Sequence, residues 1–549
     1  MVNSKAARGI RPNVRTFKLK QNISGMSQNR AETFLRPDQA LDILNMHATE
    51  EGSWSADRAG YTVINAGGTS YESGAAIDGM AIFTDSNSDD HLFLAINGKL
   101  KEVNTGSGVA SDIDAAAGYA VGGRVDFLGI NDALYTVDGT IATPRKWDGA
   151  SAGNSPGWPI TDGLNTYDTP KLAEHHQGRA AFLNFQGFPG HFALSVVGDP
   201  EDFTTSGLGA DGAFINEAGV GDGQYIVGAR SIHIPASNNS QLVIFKNRST
   251  FALTGNSALP SDADFFRTVG LNENYGAIND DVIVQVGNDL LSLNEFGITS
   301  YSTANQSGTL QPLAIESDKV TDIVSNLNAN VKEKCWGIHI PHRREVWWFL
   351  PTGASTQCNE AIVYKYPSPG AQDELPKWSH RMDAGGKFKM AHGCLLDRVF
   401  YIGSYAGKVG TMFTASTYDG TGIPWRYEYP YIDVGNEKQN KRVLNCDLQF
   451  KVRSNQSITH QYLWKGGGCN DQGVNSLTVE TTVSGATYGT AVYGTDYYGA
   501  SEEVKVQSDV FGDGLRLKHV LSGTTTDTGP EFLGISQLVE MGNLSQHWN

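Results

Sequence analysis

Short runs of alternating apolar and polar residues fill the middle of the chain, from about residue 80 to residue 415. Each run has the length of a β-strand, and a polar turn with Asn, Gly or Asp joins it to a second run. These strand pairs are residues 91–103, 132–147, 178–195, 241–255, 289–302, 344–367 and 398–413. They begin roughly 40 to 65 residues apart, the size range of four-stranded propeller blades. The pattern predicts an all-β protein with a β-propeller-like domain of about six or seven blades over residues 80–415. A large irregular β-sandwich is the alternative.

One stretch inside this region has the spacing of a helix. Its apolar residues recur three and four positions apart and therefore fall on one helical face. They are Val320, Ile323, Val324, Leu327 and Val331. We predict an inserted helix near residues 317–333.

Three further segments complete the predicted organisation. Residues 1–33 form a basic N-terminal arm. In residues 34–79, Pro37 and the apolar spacing behind it predict a short helix, after which a strand leads into the propeller. After residue 415 the blade spacing is lost. Gly- and Thr-rich strands there predict a separate C-terminal, β-sandwich-like domain over residues 416–549.

The composition agrees with many short strands joined by tight turns. The 549 residues include 63 Gly, 21 Tyr, 23 Phe and 10 Trp. Glycine disfavours helices and aromatic residues favour strands. No apolar run approaches the ~18 residues of a membrane span, and the five cysteines lack the paired spacing of a zinc ribbon or a disulfide scaffold. We expect a soluble chain without a membrane anchor that folds in a reducing compartment.

Charge is unevenly distributed along the chain. The formal net charge is −17, but residues 1–20 contain six basic residues and no acidic one, so the remainder carries −23. An acidic body argues against a protein that grips duplex DNA, because such proteins neutralise phosphates with Lys and Arg. It is compatible with the wall of a DNA conduit and also with a role in solubility alone.

One stretch has the spacing of a hydrolase nucleophile elbow. Residues 153–157 place Ser155 between two glycines in the required pattern. The mechanism needs a backbone N–H from the next residue, and Pro156 has none. We therefore predict a turn here, no catalytic residue and no enzyme activity.

Candidate metal ligands and paired acids are similarly weak. His175 and His176 are adjacent on a strand, so they point to opposite faces and cannot easily share one ion. Acidic pairs such as Asp280 and Asp281 are expected to be solvated surface groups. The sequence therefore predicts no metal site and no cofactor.

Several stretches together resemble the tail nozzle proteins, also called tail tube or stabilisation proteins, of short-tailed bacteriophages. The opening stretch, with Asn45, Arg58, Gly60 and Tyr61, is similar to the early segment of that family. The other similar stretches are residues 265–302, 344–351, 361–367, 377–383 and 419–443. The resemblance extends over roughly residues 34 to 455.

This resemblance implies a non-enzymatic part of the virion. Copies of such proteins, usually six, form a ring below the portal and adaptor that closes the tail and guides DNA outward. The implied partners are other copies of the chain, the adaptor or head-to-tail connector ring, and tail fibre or spike proteins. Double-stranded DNA passes through without specific binding. The implied location is the virion tail, after assembly in the host cytoplasm.

The basic N-terminal residues are the candidate contact site of such a ring. They are Lys5, Arg8, Arg11, Arg15, Lys18 and Lys20. We expect an extended arm that docks on an acidic neighbouring subunit or on the adaptor and becomes ordered on assembly. A frayed, solvated tail is the alternative.

Two other functions of the whole chain stay open. One is a carbohydrate-binding or carbohydrate-cleaving propeller, such as a receptor-binding tail protein, and the other is a scaffold propeller for host protein contacts.

Overall fold

Strands make up most of the protein in a computed structural model. It describes residues 13–20, 25–28, 35–36, 38–49, 52–56, 60–205, 209–234, 239–302, 311–314, 317–368, 375–382, 386–433, 439–466, 472–480, 485–486, 497–498, 502–525 and 529–541. The chain divides into two units. The first contains Met1–Tyr61, Tyr364–Met382 and Phe413–Asn549, and the second contains Thr62–Val363 and Asp383–Met412.

The segment before the propeller consists of short strands. They are β1 (Asn13–Lys20), β2 (Asp42–Leu44), β3 (His47–Ala48), β4 (Trp54–Ser55) and β5 (Gly60–Val63). The short helix predicted within residues 34–79 was wrong for the described part, because β2 pairs with a distant strand and buries Ile43. Asn45 then takes a left-handed φ of 55°, which a helix does not allow. Long-range pairing here overrides the local apolar spacing.

The strands of the predicted propeller region follow in chain order. They are β6 (Ile77–Thr84), β7 (Asp90–Ile96), β8 (Lys99–Asn104), β9 (Val109–Asp114), β10 (Asp126–Ile130), β11 (Ala133–Val137), β12 (Arg145–Trp147), β13 (Ala152–Asn154), β14 (Ile160–Thr161), β15 (Thr166–Tyr167), β16 (Leu172–His176), β17 (Arg179–Phe185), β18 (Phe188–Leu194), β19 (Phe214–Glu217), β20 (Ile226–Ile234), β21 (Asn239–Lys246), β22 (Thr250–Thr254), β23 (Arg267–Asn272), β24 (Ile283–Val286), β25 (Asp289–Asn294), β26 (Gly297–Ser302), β27 (Gln311–Ala314), β28 (Trp336–Ile340), β29 (Glu345–Leu350), β30 (Glu360–Lys365), β31 (Lys377–Met382), β32 (Met390–Leu396), β33 (Val399–Ser404) and β34 (Val409–Ala415).

These strands confirm the predicted propeller, which has seven blades among the described residues. Five blades are separate four-stranded sheets: β6–β9, β10–β13, β16–β19, β20–β23 and β24–β27. The sixth begins with β28, β29 and β30, and the seventh contains β32, β33 and β34. The first strands of the seven blades contact one another in sequence, and β32 returns to β6, so the ring is closed.

A strand from before the first blade completes the last blade. β5 lies beside β34, and the N–H of Ile64 donates to the carbonyl of Val409 at 2.9 Å. Pairing the start of the propeller with its end leaves no open edge at the junction, which is how propellers protect themselves from edge-to-edge association.

Glycine allows the innermost strands to approach one another closely. At four positions a Cβ atom would lie within 3 Å of a side chain or backbone atom of a neighbouring blade. These positions are Gly79, Gly228, Gly337 and Gly393. Part of the high glycine content is therefore a packing requirement at the propeller axis.

The predicted inserted helix is present but interrupted. An α-helix, α1 (Thr321–Ser325), is flanked by 3₁₀ turns at Ser317–Val320 and Ala329–Lys334. Val320, Ile323 and Val324 are buried, as the spacing indicated. Further 3₁₀ turns are Ala66–Gly68, Gly209–Asp211, Asp280–Val282 and Pro341–Arg343.

The remaining strands belong to the first unit, a β-sandwich. They are β35 (Thr417–Tyr418), β36 (Thr421–Glu428), β37 (Lys441–Val452), β38 (Gln456–Lys465), β39 (Gln472–Val479), β40 (Gly485–Ala486), β41 (Tyr497–Tyr498), β42 (Glu502–Gln507), β43 (Asp513–Gly514), β44 (Arg516–Thr525) and β45 (Glu531–Met541).

Two sheets face each other in this sandwich. One has the order β3-β4-β45-β37-β42, with β1 also beside β45, and the other has the order β31-β2-β36-β44-β38-β39. Phe532 of the first sheet packs its ring 5.0 Å from Tyr427 of the second. The predicted domain of residues 416–549 is therefore incomplete, because strands from far earlier in the chain pair into the same two sheets.

No helix of the described ranges is long and apolar enough to span a membrane. Four cysteines are described as free thiols, and Cys335, Cys358 and Cys446 are buried. Cys469 lies outside the described residues.

Candidate functional site

The predicted basic arm is in part a strand of the sandwich. β1 pairs antiparallel with β45 along its whole length, from Asn13 opposite Met541 to Lys20 opposite Gly534. Arg15 and Lys18 are exposed on this strand. Lys5, Arg8 and Arg11 lie outside the described residues, and for Lys20 only the backbone is described.

An arm that becomes ordered only on assembly is thus wrong for residues 13–20, which are already paired within one chain. Leu19 is buried at 7 % exposure, which anchors the strand on the sheet. The basic residues dominated the sequence pattern and hid the strand-forming alternation around Phe17 and Leu19.

β1 is an edge strand among the described residues. β45 has β37 on one side and β1 with β4 on the other, and β1 has no second strand partner. An edge strand presents backbone N–H and C=O groups that a strand of another chain can pair with. Lysine and arginine on such an edge hinder indiscriminate pairing and favour an acidic partner.

Three stretches singled out in the sequence meet at one buried side chain, that of Asn45. Its Nδ2 donates to the carbonyls of Met382 at 2.6 Å and Pro424 at 2.7 Å. Its Oδ1 accepts from the N–H of Met382 at 3.0 Å and from the hydroxyl of Tyr418 at 3.2 Å. One amide thus makes four hydrogen bonds and joins segments more than 300 residues apart in the chain.

The second part of the opening motif, Gly60 and Tyr61, packs against β35, the strand that contains Tyr418. Tyr61 pairs with Tyr418 and stacks on its ring at 6.0 Å. Gly60 lies so close to Thr417 that a Cβ atom would be 2.0 Å from its carbonyl oxygen. Only glycine, which has no Cβ atom, therefore fits at position 60.

We expect Gly60→Ala to lower the free energy of unfolding by roughly 3 kcal/mol, because the backbones must separate to admit the methyl group. Gly153→Ala is the matched control, since a Cβ there meets no atom within 4 Å, and we expect a change below about 0.5 kcal/mol. Urea unfolding of both full-length variants measures the difference. If the two variants have the same free energy of unfolding, the close packing of Gly60 against Thr417 does not limit the side chain at position 60.

A charged group lies next to the Asn45 node. His380 Nε2 is 2.7 Å from Asp42 Oδ1, and Arg426 Nε is 3.7 Å from Asp42 Oδ2. Arg426 and Lys518 both form ion pairs with Glu428. Burial opposes ionisation of Asp42, but its hydrogen bond with His380 and the charges of His380 and Arg426 together hold its pKa below the usual value.

A second charged cluster lies where the first strands of consecutive blades meet. Nη1 of Arg230 is 2.8 Å from both carboxylate oxygens of Asp280 and 3.5 Å from Glu174 Oε2. Asp126 accepts from the N–H of Ala173 at 2.8 Å. Asp280 is buried, so the interpretation of this acid as a solvated surface group was wrong.

Two carboxyl groups of this cluster, those of Glu174 and Asp126, have raised pKa values. Burial raises the pKa of Glu174 to about 7, and Arg230 only partly offsets the effect. Burial and the neighbouring Asp280 raise the pKa of Asp126 well above its usual value. Both shifts favour the protonated form of these two carboxyl groups.

The sequence carries a signal for this cluster that motif searching misses. Asp78, Asp126 and Glu174 are spaced 48 residues apart, and Arg230 and Asp280 follow at similar intervals. The interval is one blade, so charged residues recur in the first strand of a blade or just before it. Reading the blade repeat position by position would have brought them together.

Arg124 connects the second blade to the segment before β28. It donates from Nε to the carbonyl of Glu333 and from Nη2 to that of Cys335, both at 2.7 Å, and pairs with Asp281. Asn279 donates to the same two carbonyls at 2.9 and 2.8 Å. Arg124 thus ties the second blade to non-adjacent blades, whereas Asn279 ties the adjacent fifth and sixth blades.

A polar cavity of ≈ 220 Å³ lies beside Arg124. Asp78, Lys334 and Tyr405 also line it. Asp78 Oδ2 is buried and has no hydrogen-bond partner among the described residues. Burial raises the pKa of Asp78 to about 6, although the N–H of Gly122 partly opposes the shift. The cavity has the size and polarity for a small polar molecule.

The metal-capable group does not include the histidines singled out in the sequence. His176 is buried beside Ser231, with its Nδ1 2.9 Å from the hydroxyl, whereas His175 is exposed. Among the described residues, the ligand atoms of Cys446, His460 and His519 lie within 4.8 Å of one another. Spacing along the sequence gave no signal for this group.

The comparisons with known proteins concern the fold. No protein-family model matches the chain, and no curated protein matches it significantly. BamB from Moraxella catarrhalis is 11% identical over 67% of this chain and 93% of its own, with a TM-score of 0.37. YCF48 from Cyanidioschyzon merolae is 11% identical, covering 64% and 98%, with a TM-score of 0.37. The Neurospora crassa Pan2 WD40 domain is 7% identical, covering 65% and 95%, with a TM-score of 0.36. These likenesses say nothing about what this chain binds.

Proposed function

We propose that this chain is a structural virion protein, the tail nozzle or tail tube protein of a short-tailed bacteriophage. Copies, expected to be six, form a ring that closes the tail and guides DNA ejection. The proposed partners are the adaptor ring and tail fibre or spike proteins. Assembly takes place in the host cytoplasm and the mature protein resides in the virion tail.

The convergence at Asn45 is the observation that carries this proposal. The opening stretch, the stretch at 377–383 and the stretch at 419–443 each resemble the nozzle family, and residues of all three bond to one side chain. Residues that build one structural node are under a common constraint. The resemblance therefore concerns a coherent part of the fold and not scattered coincidences.

The charge distribution supports a ring that DNA passes through. The chain carries a net −17, so duplex DNA would be repelled and would slide without adhering. β1 gives each copy a basic sheet edge, and the acidic remainder gives it a complementary surface. Two different complementary surfaces on one copy are what a head-to-tail ring needs.

We expect the purified full-length chain to form rings under negative stain and in mass photometry, alone or with the adaptor protein. Reversing the edge charges, in Arg15→Glu with Lys18→Glu, should weaken ring formation at least tenfold, because acidic side chains then face an acidic neighbour. Arg248→Glu with Arg267→Glu makes the same charge change at exposed positions of the propeller and should assemble normally.

Two results would contradict the proposal. One is a wild-type chain that stays monomeric with the adaptor present, and the other is tight binding to duplex DNA at ~150 mM salt. Equal assembly of the two charge-reversed variants would remove the role assigned to β1 while leaving the ring itself intact.

The second candidate function is a carbohydrate-binding or carbohydrate-cleaving propeller. The observation that favours it is the polar ≈ 220 Å³ cavity with its unpartnered Asp78 oxygen. Such a protein would bind or cleave a sugar as an isolated monomer, and Asp78→Asn would abolish that activity without affecting assembly.

A further inference from the structure

A thiol and two imidazoles converge between the two sheets of the sandwich. Cys446 lies on β37 of one sheet, and His460 and His519 lie on β38 and β44 of the other. The exposed fraction is 0 % for Cys446 and His460 and 1 % for His519. One ligand atom from each lies within 4.8 Å of the other two. The residues are far apart in the chain, so the fold alone creates the group.

Each histidine has one ring nitrogen against the other histidine and one against an outer partner. His460 Nε2 and His519 Nδ1 face each other at 2.8 Å. On the far sides, His460 Nδ1 is 2.7 Å from Ser508 Oγ, and His519 Nε2 contacts the side-chain amide of Gln537. Metal-bound histidines characteristically donate their other ring N–H to such a partner, which orients the ring and fixes its tautomer.

The amide of Gln537 is the unexplained part of this arrangement. Its side chain is buried at 1 % exposure and its Oε1 has no hydrogen-bond partner among the described residues. Turning the amide over would place Oε1 against His519 Nε2, where it accepts a hydrogen bond. His519 then carries its proton on Nε2, and the lone pair on Nδ1 points toward the centre.

Ser508 can orient the other imidazole in the same way. Asn475 donates to Ser508 Oγ at 2.9 Å, and that oxygen can accept a second hydrogen bond from His460 Nδ1. The lone pair of His460 Nε2 then faces that of His519 Nδ1. A cation between the two nitrogens removes this conflict and also gives the nearby thiol of Cys446 a role.

We propose that Cys446, His460 and His519 bind one thiophilic metal ion, Zn²⁺ or Cu(I), between the two sheets. A thiolate and two imidazoles form the donor set that suits these ions. Zinc–nitrogen bonds of 2.0–2.1 Å at tetrahedral angles place two nitrogens about 3.3 Å apart, so the imidazoles separate by roughly half an ångström on binding. Cys446 releases its proton when it becomes a ligand.

The metal-free alternative is a chain of hydrogen bonds running from Ser508 through His460 and His519 to Gln537. The thiol of Cys446 is not a member of these hydrogen bonds. The two alternatives therefore differ in whether Cys446 is a metal ligand. The ion would link β37 directly to β38 and β44, and it would enter while the sheets are still apart, because the site is fully buried.

Metal analysis of the full-length chain, purified without chelator, tests the site. We expect one zinc or one copper per chain, and the analysis shows which of the two is bound. Cys446→Ser should lose it, while Cys358→Ser, another buried cysteine on the chain, should retain it. Wild-type protein that contains neither metal, and takes up neither when refolded with Zn²⁺ or Cu(I), would overturn the proposal.

A spectroscopic readout on wild-type protein remains decisive if Cys446→Ser fails to fold. Refolding with Co²⁺ should give a sulfur-to-cobalt charge-transfer band in the near ultraviolet, which Zn²⁺ then displaces. Refolding with a chelator should lower the melting temperature of the wild type by roughly 5 °C. A cobalt complex without the thiolate band would count against the site. An unchanged melting temperature after refolding with the chelator would also count against it.

Discussion

Replacing Asn45 by alanine is expected to lower the free energy of unfolding by about 4 kcal/mol. The substitution removes four hydrogen bonds at once, those to the Met382 and Pro424 carbonyls, the Met382 N–H and the Tyr418 hydroxyl. It also forces alanine to adopt the φ of 55° that asparagine tolerates. Urea unfolding of the full-length chain measures the loss.

Asn131→Ala is the matched control for that experiment. Asn131 also has a left-handed φ, of 50°, but it is exposed and its side chain makes one hydrogen bond, to Gly198, at 2.6 Å. We expect a loss of about 1 kcal/mol there. If both variants lose the same stability, the effect at Asn45 arises from the backbone conformation, and the hydrogen-bonded node does not carry the energy assigned to it.

Arg230→Met should destabilise the propeller by about 4 kcal/mol at pH 8. The variant keeps the size of the side chain but removes the charge that Asp280 and Glu174 pair with. Buried carboxylates without a counter-charge are costly, and protonation relieves the cost. Chemical unfolding at two pH values separates the charge effect from the packing effect.

The sign of the pH dependence follows from the raised pKa of Glu174. A carboxyl whose pKa rises from 4.5 to about 7 on folding favours the folded state at low pH and opposes it increasingly as pH rises through that range. The penalty of Arg230→Met should therefore fall to about 2 kcal/mol at pH 5, where Glu174 is protonated. Lys332→Met, which breaks an exposed ion pair with Glu295, should change stability by less than about 0.5 kcal/mol at either pH. A penalty for Arg230→Met that is independent of pH would mean that the methylene groups matter and the charge does not.

The propeller was predictable because its blades repeat locally. Hairpins such as residues 91–103, with Asn97 and Gly98 at the turn, show their strands and their turn within one short window. The interval between hairpins then indicates blades. Seven of them follow once the first strands are seen to close a ring.

The sandwich was only partly predictable because its pairings are not local. β2 has three residues, and its partners lie more than 300 positions away, so no local pattern distinguishes it from a helix. The same limit hid the cluster of Cys446, His460 and His519, whose members come from three strands of two sheets. When a site is formed by residues from distant strands, the spacing of those residues along the sequence does not indicate it.

The pairing of β1 with β45 has a consequence for synthesis. The partners of Asn13–Lys20 are the residues from Gly534 to Met541, which leave the ribosome more than 500 positions later. At about 5–20 residues per second, β1 waits on the order of half a minute to two minutes for its partner. During that time its apolar residues are available to other chains, including identical ones emerging from the same polysome. The chain therefore spends most of its synthesis with β1 unpaired, and the translation rate sets how long this strand waits for β45.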